Sequence, residues 1–230
     1  KGLFNKGYHF PNVVDIHESN GITDSDINTM SKLLALSDSD KEILKECVFR
    51  FKNAEYFGSL INHFEYETKE YEDLLNKLQS KAGEVDFPDV VVMLTYNKYF
   101  ELICTLIKQA MYMSASYDCM VTNPPYISPT ECGEEVKQYA ETFYPDSKKD
   151  MCTMFIERCF EYTKSVGLSG MITMQAWMTS TTYKKLRDKM INKVRIVSMV
   201  QLGPRAFEDI SGEVVQTTAW VMRCKNGNIH

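Results

Sequence analysis

Pro124 and Pro125 stand directly behind the apolar run Tyr117-Asp118-Cys119-Met120-Val121-Thr122, and no sheet ladder can pass through such a pair. Both residues have a fixed φ and neither has a backbone N–H, so a strand over Tyr117–Thr122 must stop there. Asn123-Pro124-Pro125-Tyr126 is then a stiff loop. A ligand lying against it meets acceptors: the peptide carbonyls around the prolines lack a local donor, and the Asn123 side chain adds one more carbonyl. Two acceptors that grip both hydrogens of an amino group conjugated into a ring push its nitrogen toward tetrahedral geometry. That frees a lone pair otherwise delocalised. The Tyr126 ring can stack on the planar system that carries the amine. A bare Asn-Pro dipeptide is a common turn starter; the full string behind a strand is a much narrower signal.

Beyond this loop the pattern alternates. It predicts a helix over about Thr130–Phe143, a polar loop Tyr144–Asp150, and an amphipathic helix with Met151, Met154, Phe155, Cys159, Tyr162 and Val166 on one face. Gly167 and Gly170 stop that helix. A short buried strand Met171–Met174, a helix Tyr183–Asn192, a strand Arg195–Leu202, a loop Gly203–Gly212 and a last strand Val214–Arg223 follow. Such alternation predicts an open α/β sheet, whose ligands bind outside the carboxyl ends of the strands, where Asn123 lies. Upstream, Asn12–His17 reads as a strand closed by the turn Glu18–Gly21. Residues 21–116 read as a helical block between two strands. Helices start at Thr23–Asp26 and Ser39–Glu42, the second with a capping box, and a charged helix covers Tyr66–Ser80. After a break at Lys81–Glu84, a long apolar-rich helix runs from about Pro88 to Met113.

Apolar residues make up 44% and charged residues 25% of 230 residues, an ordinary balance for a chain with a sizeable core in one large domain or two small ones. No apolar run approaches the roughly 18 residues of a membrane span. Lys1-Gly2-Leu3-Phe4 has neither an initiator Met nor a signal-peptide pattern, so the chain reads as an internal piece of a longer cytoplasmic protein. The 7 cysteines form no Cys-x-x-Cys pair and the 4 histidines lie far apart, which predicts free thiols and no metal site. Residues 1–116 hold 12 Lys and Arg against 18 Asp and Glu; residues 117–230 hold 14 against 13. A self-sufficient nucleic-acid binder shows a strongly basic face. Here there is a local patch, Lys184, Lys185, Arg187, Lys189, Lys193 and Arg195, which reads first as a solvated helix face and second as phosphate contacts.

With these motifs the chain resembles the Asn-Pro-Pro-Tyr adenine-specific DNA methyltransferases. In more detail it is similar to the PglX-type methyltransferases of bacterial BREX phage-defence systems. The resemblance runs through Val121–Tyr126, Tyr144–Lys148, Phe155–Cys159, Gln175–Met178, Leu202–Glu208 and Gly212–Thr218, and more loosely through Pro11–Ile22. It implies a Rossmann-like S-adenosylmethionine-dependent methyltransferase core, present in part. Residues 1–20 would come from its donor-binding half, 21–116 would be a helical insertion and 117–230 the catalytic half. It implies S-adenosylmethionine as cofactor and DNA as partner, beside other proteins of a phage-defence or restriction-modification system. The reaction implied is methyl transfer to the exocyclic amino group of adenine, flipped out of the duplex at a cost of about a few kcal/mol.

Under that resemblance Asn123 and the Pro124 carbonyl accept the amino hydrogens, Pro125 stiffens the loop and Tyr126 stacks on the base. Phe207 falls where related enzymes place a second aromatic, its other reading being a plain core residue; stacking is worth roughly 1–3 kcal/mol per base. Asp150 and Met151 would wall the pocket near the donor's methyl group, with a helix N-cap as the other role of Asp150. Ser19 and Asn20 would approach the donor's adenine, or form a turn without a ligand. One element of the family is missing. Its glycine-rich Phe/Ala-x-Gly-x-Gly motif, where backbone must approach the donor closely, has no counterpart among the 11 glycines. The expectation is therefore that this chain alone neither holds the donor tightly nor methylates. Two other readings stay open: methylation of a protein glutamine or RNA base through the same loop, and a non-catalytic DNA-binding scaffold of a defence complex. The helical block of about 95 residues fits the first poorly, and an intact Asn123–Tyr126 string weighs against the second.

Overall fold

The computed structural model describes residues 12–83, 85–203 and 216–225. The chain divides into two compact units, Lys1–Met113 and Ser114–His230.

The first unit is helical: α1 (Asp24–Leu33), α2 (Asp38–Arg50), α3 (Ala54–Phe57), α4 (Thr68–Lys81) and α5 (Val90–Ser114). Thr23 starts α1 as expected, its hydroxyl accepting from the Asp26 amide while the Asp26 carboxylate accepts from the Thr23 amide. The box on α2 lies two residues ahead of the expected one. Ser37 and Asp40 form it, in place of Ser39 and Glu42, because Ser37 has the extended backbone of a cap and Asp40 reaches back to its amide. Lys77 of α4 pairs with the same Asp40 carboxylate. Leu44, Cys47, Phe51, Tyr71, Leu78 and Ile103 lie at the heart of the core. Helix α5 is long and apolar enough to cross a membrane by length and composition alone. Reading apolar runs misses this because Lys98, Glu101 and Lys108 interrupt them; in the unit, Ile103, Leu106, Ile107 and Ala110 pack the helix into the core.

Asn12–His17 is not a strand. It runs as irregular chain, and the partner of His17 is a side chain: Gln109 Oε1 accepts from the His17 amide at 2.7 Å, and Gln109 Nε2 donates to its carbonyl at 3.2 Å. The fully buried Gln109 amide thus does what a neighbouring strand would do.

The second unit is α/β. Its elements are β1 (Tyr117–Thr122), α6 (Glu134–Phe143), α7 (Met151–Tyr162), β2 (Thr163–Met174), α8 (Ala176–Thr179), α9 (Lys184–Lys193), β3 (Val194–Gly203) and β4 (Thr217–Cys224). One mixed sheet has the order β1-β2-β4-β3, with β1 parallel to β2 and β4 antiparallel to both its neighbours. Ile156 and Cys159 of α7, Trp177 of α8, and Leu186 and Met190 of α9 pack with Met171, Trp220 and Met222 of the sheet. Strand β1 has the expected bounds. Strand β2 is far longer than the expected Met171–Met174, and α7 ends at Tyr162 instead of reaching Gly167. The Thr163 hydroxyl donates to the Cys159 carbonyl at 2.6 Å, closing the helix. Leu168–Gly170 then pair with β1 on one side and β4 on the other, which places Gly170 inside the strand. The loop expected at Gly203–Gly212 and the start of the last strand at Val214 fall largely outside the described residues.

The carboxyl end of β2 is held by one hydroxyl. Thr173 Oγ1 accepts from Trp177 Nε1 and from Trp220 Nε1, each at 3.0 Å, and all three residues are buried. Replacing Thr173 by Val keeps the shape but leaves two buried indole N–H groups unpaired, at a cost of about 2–4 kcal/mol; Thr173→Ser should cost far less. The chain has 2 tryptophans and both are in this contact, so urea unfolding followed by tryptophan fluorescence checks it directly. Equal stability of the Val and Ser variants would disprove the shared bond.

Candidate active site

The prolines end the β1 ladder as their chemistry demands. Thr122 is the last residue of β1 paired with β2, opposite Met171, while β2 continues to Met174 paired only with β4. Asn123 is exposed, Pro124 buried, Pro125 exposed and Tyr126 half-buried. The Tyr126 hydroxyl donates to Asn123 Oδ1 at 3.4 Å, a long bond at the limit of useful geometry. Burial, then the neighbouring Cys152 and Asp150, push the Tyr126 phenol up to about 12. It is therefore a neutral donor at physiological pH.

The far end of the loop is fastened to α7. The Met151 amide donates to the Ile127 carbonyl at 2.9 Å, and Asp150 caps the helix, its Oδ1 accepting from the Cys152 amide at 2.8 Å. Of the two roles considered for Asp150, the N-cap is the one observed. Burial raises its carboxyl above the ordinary value, the bonds from Cys152 oppose this, and the Glu131 charge adds to the rise. Met151 Sδ lies 3.8 Å from Cys132 Sγ. Tyr183 is buried near Thr153, Asp150 and Cys152, and burial raises its phenol. Asn123, Tyr126, Asp150 and Met151 thus belong to one hydrogen-bonded segment. Cys152, Thr153 and Tyr183 join them without any local sequence signal to announce it.

In the first unit, Ser19 and Asn20 already have partners. The buried Ser19 hydroxyl donates to the Val48 carbonyl at 2.5 Å, and its amide to the Phe51 carbonyl at 3.0 Å. Asn20 Nδ2 donates to Glu18 at 2.7 Å and to Asn53 Oδ1 at 3.0 Å, while Asn20 Oδ1 accepts from the Asn53 amide at 3.1 Å. This turn lines a recess of about 540 Å³ with Lys45, Phe49 and Lys52. Phe207 lies outside the described residues.

Half of the basic patch is engaged with the protein, while Lys184, Lys185 and Arg195 are exposed, as a solvated helix face would have them. Lys189 pairs with Asp146 at 2.5 Å and Glu157 at 2.9 Å, and Arg187 donates to the carbonyls of Trp177 and Ser180 at 2.8 and 2.6 Å. Lys193 sits over the Phe160 ring, 6.0 Å from its centroid. Among the described residues, no group of three or more His, Cys, Asp or Glu is placed to hold a metal ion, and all seven cysteines are free thiols. The described glycines are scattered, with no Gly-x-Gly pair among them. Gly167 alone sits so tightly that a Cβ would clash, and it would meet the chain's own Thr163 side chain and the carbonyls of Asp118 and Lys164.

Residues 22–207 match the family described as Eco57I restriction-modification methylase. An adenine-specific methyltransferase, BrxX, of Escherichia coli O9:H4 (strain HS) is 33% identical over 199 residues, covering 86% of this chain and 16% of that protein. An adenine-specific methyltransferase, PglX, of Lacticaseibacillus casei (strain Zhang) is 37% identical over 189 residues, covering 80% of this chain and 15% of that one. The chain therefore spans about a sixth of the length of these curated relatives. A solved structure from Listeria monocytogenes, provisionally assigned as a class I S-adenosylmethionine-dependent methyltransferase, covers 90% of this chain and 87% of its own with a TM-score of 0.40 and 11% identity, too distant to bear on the site. The match over most of its length places this chain in the Eco57I restriction-modification methylase family.

Proposed function

We propose that the full-length protein transfers a methyl group from S-adenosylmethionine to the exocyclic amino group of adenine in DNA, as part of a bacterial phage-defence or restriction-modification system in the cytoplasm. The observation that carries this reading is Asn123–Tyr126 at the carboxyl end of β1, with Asn123 exposed and the Tyr126 ring beside it. The names of the two relatives support the choice of adenine, and the proteins that act with BREX methyltransferases are the partners this reading allows.

When bound, S-adenosylmethionine supplies a methyl group on a positively charged sulfur. The residues present suit that end of the donor: Asp150 and Met151 stand at the α7 N-terminus, directly bonded to the loop. Among the described residues there is no glycine-rich turn for its methionine end. In this reading that grip comes from elsewhere in the protein, with residues 1–20 belonging to the donor-binding half and 21–116 inserted before the catalytic half. Asn20, at the recess it lines beside the buried Ser19, would meet the donor's adenine only by giving up its bonds to Glu18 and Asn53. Asn123 Oδ1, which has a second lone pair beside the one the Tyr126 hydroxyl meets, and the Pro124 carbonyl would take the two amino hydrogens. Tyr126, and Phe207 further along the chain, would then stack on the flipped adenine.

In the full-length protein, Asn123→Ala should lower methyl transfer about ten- to a hundredfold or more while donor binding survives, since loss of one acceptor of the reacting amine costs about 1.5–3 kcal/mol or more in the transition state. Radiolabelled transfer measured beside donor calorimetry tests this, and wild-type rates in the variant would refute the assignment. Tyr126→Ala should weaken extrusion of a 2-aminopurine placed at the target far more than it weakens duplex binding. Tyr126→Phe should be mild, because stacking needs the ring and not the hydroxyl. Equal damage from Phe and Ala would exclude stacking as the main role of Tyr126.

A further inference from the structure

Lys189 belongs to the basic run of α9, yet its amine faces the protein. Its Nζ bridges Asp146 and Glu157, whose side chains are only 16% and 13% exposed. Among the described residues no other cation pairs with either carboxylate. The other oxygen of Glu157 accepts from Ser147 Oγ at 2.5 Å, and Ser147 is fully buried. From inside, Thr153 Oγ1 lies 2.6 Å from the Ser147 carbonyl and 2.8 Å from that of Asp150. Residues 146–150 are thus fastened to α7 by hydroxyls and to α9 by one ammonium group. The next amide along the chain, that of Met151, is the one that holds Ile127 at the end of the catalytic loop.

We propose that Lys189 is a positioning residue of the active site: by clamping Asp146 and Glu157 it fixes the start of α7, and through the Met151–Ile127 bond it holds Asn123–Tyr126 in register. The proposal rests on the methyl-transfer reading above. Its physical basis is asymmetric. An intact, partly buried ion pair adds little net stability, but deleting one partner leaves the others charged, poorly solvated and mutually repelling. Burial disfavours the charged amine, but Asp146 and Glu157 outweigh it, so Lys189 stays protonated. A catalytic group displaced by as little as about 1 Å can lose a hundredfold in rate, so a modest loosening of α7 matters at Asn123.

The test uses the full-length protein and steady-state methyl transfer to duplex DNA. Lys189→Met should lower kcat about tenfold and leave KM for DNA and donor, and the salt dependence of KM, unchanged. Lys189→Arg, which can keep both ion pairs, should restore most of the rate. Amide hydrogen exchange at Met151 should quicken in the Met variant and not in the Arg variant. If Lys189→Met does not fold, Asp146→Asn retains the Glu157 pair and should give a smaller loss, about threefold, again confined to kcat. Unchanged kcat in whichever of these variants folds overturns the proposal. So does a raised KM with a shallower salt slope, the mark of a phosphate contact. A wild-type protein that transfers no methyl group would instead sink the functional reading, and Met151 exchange would still decide whether Lys189 is the clamp.

Discussion

The geometry of the C-terminal unit depends on a strand that is denied its continuation. Strand β2 extends past β1 by Ile172, Thr173 and Met174, because beyond Thr122 the neighbouring chain has two successive residues without a donor. The overhang has two effects. It frees the first chain to leave the sheet at a fixed point with two backbone φ angles preset, which reduces the conformational entropy lost in holding a loop open to a ligand. It also leaves the tip of β2 to be secured from the other side, by β4 and by the Trp177 and Trp220 indoles on Thr173.

Helix α7 is where the apolar and polar requirements of the unit meet. One side supplies Ile156 and Cys159 to the core beneath the sheet. The remainder carries Glu157, tied to α9, and Arg158, which is 4% exposed, pairs with Glu161 and lies 3.9 Å from the Tyr162 ring centroid. Buried charges are tolerated only where partners surround them; those of Glu157 are Ser147 in the turn before the helix and Lys189 of α9, and those of Arg158 are Glu161 and Tyr162 of α7 itself. A single helix thereby fixes both the sheet face and the loop that leaves the sheet.

Local chemistry made much of this legible. Strand β1 and the loop after it follow from apolar residues and prolines that are neighbours in sequence, and the Asp150 cap from a polar residue at a helix start. Strand β2 was hidden because Val166 continues the apolar spacing of α7 and the glycines resemble stops. What makes Leu168–Gly170 a strand is pairing with Cys119–Val121 and Val221–Arg223, residues far away in sequence. Val166 itself has φ +60, a costly conformation for a β-branched residue, at the point where the β1–β2 register breaks. The same limit applies to Lys189, Ser19 and Asn20. Each looks available to a ligand until a distant segment claims its polar atoms, and no local pattern announces that segment.

The pair of hydrogen bonds between His17 and Gln109 brings together two points separated by 92 positions in the chain. The cost of closing a loop grows only with the logarithm of its length, about 0.6 kcal/mol for each doubling. Once entry and exit are stitched by a buried amide, the number of residues between them is almost irrelevant to the stitch. Helices α1 to α4 all lie within that closed stretch. Those helices share one core with α5, so within the stretch length changes most cheaply in the connections between helices.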